Sequence, residues 1–257
     1  MRYEICNCSW QKTEAFKGGK GICPCCKSAV NAKCGDVKIN HWAHIGKRKC
    51  ESWWENETKW HRQWKNHFPE YWQEIVHSDE TGEKHIADVK TKKDWVLEFQ
   101  HSYITPEERN SRNTFYSKLV WIIDGLRRKT DRMQFQKILE ESSRAPIGNL
   151  NIRKISFPEE SRLLKEWFDC GVPVFFDFGQ TGLWFLLPFD IKDEAYLIHF
   201  SREEFIKVHN NEGFNELINE IIPNIQNMIS GFRRKIDNMS VNKLLNPKRR
   251  TTRRRRF

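Results

Sequence analysis

His85-Ile86-Ala87-Asp88-Val89-Lys90, followed by Thr91-Lys92-Lys93-Asp94 and then Trp95-Val96-Leu97-Glu98-Phe99-Gln100, is the stretch that decides how this chain is built. Two alternating runs flank a short polar loop, which predicts a β-hairpin. In the second run Trp95, Leu97 and Phe99 point one way while Val96, Glu98 and Gln100 point the other; in the first, Ile86, Asp88 and Lys90 share a face. With Lys92, Lys93 and Asp94 as the loop, Asp88 lies opposite Glu98. Opposed Cβ atoms are roughly 4.5–5.5 Å apart, and two carboxylates that close repel unless a proton or a cation lies between them. An oxygen-ligated divalent ion such as Mg²⁺ satisfies both. An exposed hairpin with two solvated acids is the plain alternative.

The rest of the chain sets bounds on this reading. At 257 residues it is long enough for one large or two modest domains with cores of their own. Charged residues make up 30%, and no apolar run approaches the roughly 20 residues that a bilayer requires, so a soluble protein without membrane contact is expected. Met1 to Cys8 lack an apolar signal region, which makes a cytoplasmic location the default expectation. The net charge is +10, but Lys248, Arg249, Arg250 and Arg253 to Arg256 supply seven positive charges within the last ten residues. A tail of that composition is expected to be disordered alone and suited to phosphates or another polyanion.

Seven of the eight cysteines (Cys6, Cys8, Cys23, Cys25, Cys26, Cys34 and Cys50) fall in the first fifty residues, with His41 and His44 among them. In a reducing compartment, close cysteine pairs read as metal ligands rather than disulfides. The Cys-x2-Cys knuckle Cys23-Pro24-Cys25-Cys26 and the pair His41-Trp42-Ala43-His44 together suggest a zinc-ribbon-like site. Tetrahedral Zn²⁺ takes four such ligands and stabilises a fragment too short for a core of its own. Cys23, Cys26, His41 and His44 are the first-choice ligands, with Cys50 a rival for one histidine position.

Between the head and the hairpin, Trp53, Trp60, Trp64 and Phe68 recur at helical spacing from Glu51 to Phe68, and Pro69 ends the run. Glu57, His61 and Lys65, at i, i+4 and i+8, line the border of that apolar stripe. Beside tryptophans, a carboxylate and an imidazole call for a partner, and the acids of the following hairpin with their cation would be one.

These motifs resemble, in order, those of the CoiA-like competence-protein family, a branch of the PD-(D/E)XK nuclease superfamily. The Cys-Pro-x-Cys knuckle is Cys23 to Cys26, and the His-aromatic-Ala-His signature is His41 to His44. Glu-x3-His-x3-Lys is Glu57, His61 and Lys65; Ala-Asp is Ala87-Asp88; Glu-Phe-Gln-x-Ser is Glu98 to Ser102; and Arg-x3-Tyr is Arg112 and Tyr116. The resemblance spans about residues 20 to 125. Taken with the expected elements, it implies an α/β fold: a restriction-endonuclease-like αβββαβ core whose mixed sheet is flanked by helices, with a zinc-ribbon-like head and an α+β C-terminal region. The expected division is 1–50 for the head, 51–145 for the nuclease core, 146–245 for the C-terminal region and 246–257 for the basic tail.

What the resemblance implies for chemistry is hydrolysis of DNA phosphodiester bonds with Mg²⁺ or Mn²⁺, alongside structural Zn²⁺. Asp88 and Glu98 would hold the ion, joined by the main-chain carbonyl of Phe99, with Glu57 binding a second ion or orienting water. Gln100 stands where the superfamily carries a lysine and cannot act as a general base, though it can orient water. Lys65 or Lys90 could supply the missing cation, His61 could transfer or orient a proton, and Arg109, Arg112 and Tyr116 are expected phosphate contacts. A catalytically degenerate nucleic-acid-binding protein is the alternative. There is room for a homodimer and for a protein partner on the C-terminal region.

In the second half, Phe135, Ile138 and Leu139 suggest one helix, and Glu159 to Phe168 another, within a helical stretch over 128–168. Residues 172–179, 183–188 and 195–200 read as short strands, free to extend the nuclease sheet or to stand alone, before helix returns over 201–238.

Overall fold

The computed structural model describes residues 2–6, 11–36, 38–46, 57–145, 147, 151–179, 182–189, 191, 193–211 and 213–245. Trp53, Cys8, Cys50 and the basic tail lie outside them, as does the side chain of Cys6.

The head is a five-stranded antiparallel sheet of β1 (Tyr3–Cys6), β2 (Lys12–Glu14), β3 (Lys20–Ile22), β4 (Ala29–Lys33) and β5 (His41–His44), in the order β2-β1-β3-β4-β5. Its core is small: Ala15, Cys23, Cys25, Val30 and Trp42 are buried together, and Val76 and Ile86 of the main sheet pack against them.

The body is built on a nine-stranded mixed sheet. Chain order brings α1 (Lys59–Lys65), β6 (Gln73–Ser78), β7 (Lys84–Lys90), β8 (Val96–Gln100), α2 (Pro106–Phe115), β9 (Leu119–Asp124), α3 (Lys129–Glu141), β10 (Ser143–Arg144), β11 (Ile152–Ile155), α4 (Arg162–Trp167), β12 (Val174–Asp177), β13 (Leu183–Leu186), β14 (Ala195–Phe200) and α5 (Arg202–Asn210). A short α6 (Phe214–Glu216) then runs through a π-helical turn, Leu217–Ile221, into α7 (Ile222–Leu245). Strand order is β10-β11-β14-β13-β12-β9-β8-β7-β6. β8, β9 and β12 are parallel neighbours, and every other pairing in the sheet is antiparallel.

The central strands read as continuous apolar runs because both of their faces are covered. In β9, Val120 and Ile122 pack with Trp64 of α1 and Phe205 of α5 on one face, while Trp121 and Ile123 pack with Phe135 of α3 and Leu163 of α4 on the other. The result is a sheet between two helical layers, in which α1-β6-β7-β8-α2-β9 follow one another as the sequence suggests.

Two expectations need correction, and one open question is answered. The first helix is only seven residues long and starts after Thr58, whose side chain caps it, so Glu57 precedes the helix instead of lying within it. The stretch 128–168 is not all helix, since β10 and β11 intervene. The four residues Ile152-Arg153-Lys154-Ile155 are too short and too polar to signal a strand by alternation. Finally, the strands after residue 170 do not stand alone: β12 pairs with β9 from Val174↔Trp121 to Asp177↔Asp124, so the sheet runs on across residue 145.

Asp177, at the carboxyl end of β12, pins this layer to α1. Its buried carboxylate accepts the indole N–H of Trp60 at 2.8 Å and of Trp64 at 2.9 Å, together with the Arg202 guanidinium at 3.0 Å and the Gly179 N–H at 2.8 Å. Arg202 in turn lies 4.7 Å over the Trp64 ring, a cation–π contact.

His209 is packed between Phe205 and Phe214, with ring centroids 4.2 Å from each, and donates from Nδ1 to the Phe205 carbonyl. Burial pushes its pKa down from 6.5 to about 4. The neutral ring is therefore the folded form, and its contribution to stability is complete above pH 6.5. It is lost, by about 3 kcal/mol, as pH falls from 6.5 towards 4. Urea unfolding of the wild type and of His209→Phe across that window should show the steeper acid slope only in the wild type; parallel slopes would contradict it.

Candidate functional site

The loop between β7 and β8 closes as the sequence suggests, with Asp94 at φ 64° in the left-handed conformation such tight turns use. Val89 pairs with Leu97 and Lys90 with Val96, a register that sets Asp88 level with Glu98 one step further on. The ladder stops there. In place of the next main-chain bond, Asp88 Oδ2 accepts the Phe99 N–H at 3.0 Å. Alternation also breaks at this level, because Val89 packs into the core beneath α1 and Ala87 into the core beneath α2. On the neighbouring strand Glu74 lies between the pairs Gln73↔Val89 and Ile75↔Ala87, at φ 49°. A left-handed glutamate within a strand is costly, and such strain concentrates at functional positions.

Glu74 and Asp88, with Glu57 from the segment before α1, face one ammonium. Lys65 Nζ lies 2.7 Å from Glu57 Oε1, 2.9 Å from Glu74 Oε1 and 3.7 Å from Asp88 Oδ1, with only 3% of the lysine side chain exposed. Burial alone would lower the Lys65 pKa, but Glu74, Asp88 and Glu57 together raise it well above the usual lysine range. For Glu57, burial pushes upward and Lys65 pulls downward, helped by hydrogen bonds from Arg62 and Lys65, so that its carboxyl titrates below the ordinary value. Glu98, on the α2 side of β8, faces Arg112 at 3.3 Å, and Arg112 also holds Glu108 at 2.5 Å. Glu57, Glu74 and Asp88 thus gather at Lys65, with Arg62 also on Glu57, while Glu98 is held separately by Arg112.

The remaining predicted residues fall into two groups. His61 is buried and completes a capping box: its Nδ1 accepts the Thr58 N–H at 3.2 Å, so the neutral ring carries its proton on Nε2. Gln100 is also buried and donates to the Ser102 carbonyl at 3.1 Å. Lys90 stays partly exposed, 3.3 Å from Asp94. Arg109 and Tyr116, by contrast, are interior, which corrects their expected role as phosphate contacts. Arg109 binds the Glu166 carbonyl and Asp169 beneath α4, and Tyr116 packs on His77 and Phe115. Arg112 is buried too, as the partner of Glu98.

Glu74 is the residue sequence reasoning missed. Its strand, Gln73-Glu74-Ile75-Val76-His77-Ser78, gives no sign that the second position leaves extended geometry. The one available signal was position, immediately before the apolar pair Ile75-Val76 and level with Asp88 in an antiparallel register.

In the head, Cys23, Cys26 and His44 converge, their ligand atoms all within 4.8 Å of one another, and Cys26 Sγ lies 3.3 Å from His44 Nε2. Two thiols and an imidazole at that separation are a donor set for Zn²⁺. A tight turn makes the knuckle: Lys27, at φ 60°, returns its N–H to the Cys23 carbonyl at 2.9 Å. His41 is not in the trio, and its Nδ1 lies 2.9 Å from the Ile39 carbonyl. The reason is the strand period of two: His41-Trp42-Ala43-His44 is β5, and residues three apart on a strand face opposite ways. The rival ligand Cys50 lies outside the described residues.

Fold and site together define a mixed α/β protein with a cysteine-rich head, whose Cys23, Cys26 and His44 could hold a metal ion, and a buried acid cluster at the start of its main sheet. Residues 7–52 match the family model for the competence protein CoiA, N-terminal domain, so the chain is similar to that domain over its head. No curated protein and no solved structure matches significantly. No helix among the described residues is long and apolar enough to cross a membrane.

Two outcomes follow from these geometries. Zinc should copurify with the full-length protein and be lost on Cys23→Ser or His44→Ala, as elemental analysis would show; a zinc-free, fully folded protein would remove the site. Lys65→Met leaves the acids uncompensated and should cost about 3–5 kcal/mol in denaturant unfolding. Millimolar Mn²⁺ should restore part of that loss in Lys65→Met, and a variant indifferent to Mn²⁺ would argue against a cation site.

Proposed function

We propose that the protein is a divalent-metal-dependent nuclease acting on DNA, in a competence-related role suggested by the likeness of its head to the CoiA N-terminal domain. The observation that carries this reading is the convergence of Glu57, Glu74 and Asp88 at Lys65, with Glu98 level on the next strand, in an element order αβββαβ. Superfamily membership and the catalytic ion belong to this proposal and rest on the motifs together with that convergence.

Asp88, Glu98 and the Phe99 carbonyl would hold the ion. The Phe99 N–H fixes the Asp88 carboxylate in orientation, so the strand that supplies one ligand also aims the other. A bound Mg²⁺ or Mn²⁺ lowers the pKa of water and neutralises charge on the scissile phosphate. Lys65 supplies the positive charge that Gln100 does not, from the helix rather than from the hairpin. His61, oriented by Thr58, presents an Nε2–H donor, and Gln100 presents an amide able to orient water.

The alternative, a degenerate core that binds nucleic acid without cutting it, draws support from Gln100 and from the occupation of Glu98 by Arg112. Incubation with plasmid and single-stranded DNA in Mg²⁺ or Mn²⁺ separates the two. Cleavage should appear in the wild type and fall by at least about a hundredfold in Asp88→Ala and Glu98→Ala. Cleavage surviving both changes would displace the site, and binding without cleavage would favour the degenerate core.

A further inference from the structure

The head reaches the acids around Lys65 directly at Glu74 and, through Arg62 of α1, at Glu57. One guanidinium nitrogen of Arg62 donates to the Asn40 carbonyl at 2.8 Å and to Glu57 Oε2 at 2.7 Å. Asn40 immediately precedes β5, the strand that ends in the metal-ligand candidate His44. The main-chain N–H of Arg2, leading into β1, donates to both Glu74 oxygens, at 2.8 and 3.0 Å. Val76 and Ile86, which pack against the Cys23–Trp42 core of the head, stand two residues from Glu74 and two residues from Asp88. A head with so small a core depends on its metal for rigidity. When that metal leaves, the Asn40 carbonyl and the Arg2 N–H lose their fixed places, and the acids lose their supports.

We propose that the head is a positioning module for the acid cluster, so that Zn²⁺ held by Cys23, Cys26 and His44 and a divalent cation held at Asp88 bind cooperatively, with Arg62 as the positioning residue between them. The inference rests on the acid cluster being a cation site. Coupling of this kind is reciprocal: each metal tightens the other by the same factor.

The test uses the full-length, zinc-loaded protein and Mn²⁺ alone as probe, with free Mn²⁺ followed by electron paramagnetic resonance. Mn²⁺ should bind the wild type and fail to bind Asp88→Ala. Its affinity should fall about tenfold in Arg62→Ala and in Arg62→Gln, with zinc content and melting temperature as controls for folding. Saturating Mn²⁺ should also slow zinc release to a chromogenic chelator in the wild type but not in the Arg62 variants, a response that a merely structural arginine would not give. Unchanged Mn²⁺ affinity and unchanged zinc release in both folded variants would overturn the coupling while leaving the acid site standing. Absence of Asp88-dependent Mn²⁺ binding in the wild type would overturn the acid site, and the coupling with it.

Discussion

The Nζ of Lys65 lies within 4 Å of Glu57, Glu74 and Asp88, from three separate segments of chain, and the lysine is buried. At such distances a charge pair is worth several times its value in bulk water, and an acid left there without its counter-charge would be strongly disfavoured. The ammonium therefore permits the segment before α1, β6 and β7 to bring their carboxylates together at all. Glu74 carries the influence further, since its oxygens also receive the N–H of Arg2 from the head. Four parts of the chain are thus tied through one cation.

That cation can be so placed only because α1 is held on the sheet by other means. Seven residues make a marginal helix, and Thr58 with His61 at its start contributes only on the order of 1 kcal/mol. The larger constraint is Asp177, which takes both indole N–H groups of α1, while Arg202 closes over Trp64. Asp177 belongs to β12, far along the chain, so the second half of the protein fixes the position of the first helix. This assigns the C-terminal region a concrete part in the site without giving it any chemistry of its own.

Much of this was legible in sequence wherever burial is regular. The β7–β8 loop, the faces of β8 and the apolar β9 follow directly from alternation and from turn residues, since register is strongly specified when both faces are covered. The positions that escaped are those where side chains override the backbone pattern. The start of α1 was read from tryptophan spacing, but Thr58 offers a cap and the helix begins there. His41 and His44 were read as a knuckle, but the alternating strand separates them. Glu74 and Asp177 look like ordinary polar residues beside apolar ones, and their roles come from partners 72 and 113 residues away in sequence, which no local window contains.

The two irregularities of the main sheet fall at one level, and this coincidence argues for a designed break. An undistorted β6–β7–β8 ladder would alternate strictly through Glu74, Asp88 and Glu98 and would spend the Phe99 N–H on a main-chain acceptor. Instead Glu74 turns left-handed, the pairing ends at Val89↔Leu97, and the freed Phe99 N–H goes to Asp88. Each change gives up regular hydrogen bonding or conformational ease, and each gains only the orientation of a carboxylate. Stability alone does not explain such an exchange, because straight strands carrying apolar residues at these positions would be cheaper. A requirement for carboxylates gathered at one ammonium does explain it, and Lys65 is the charge that keeps those acids ionised and in place.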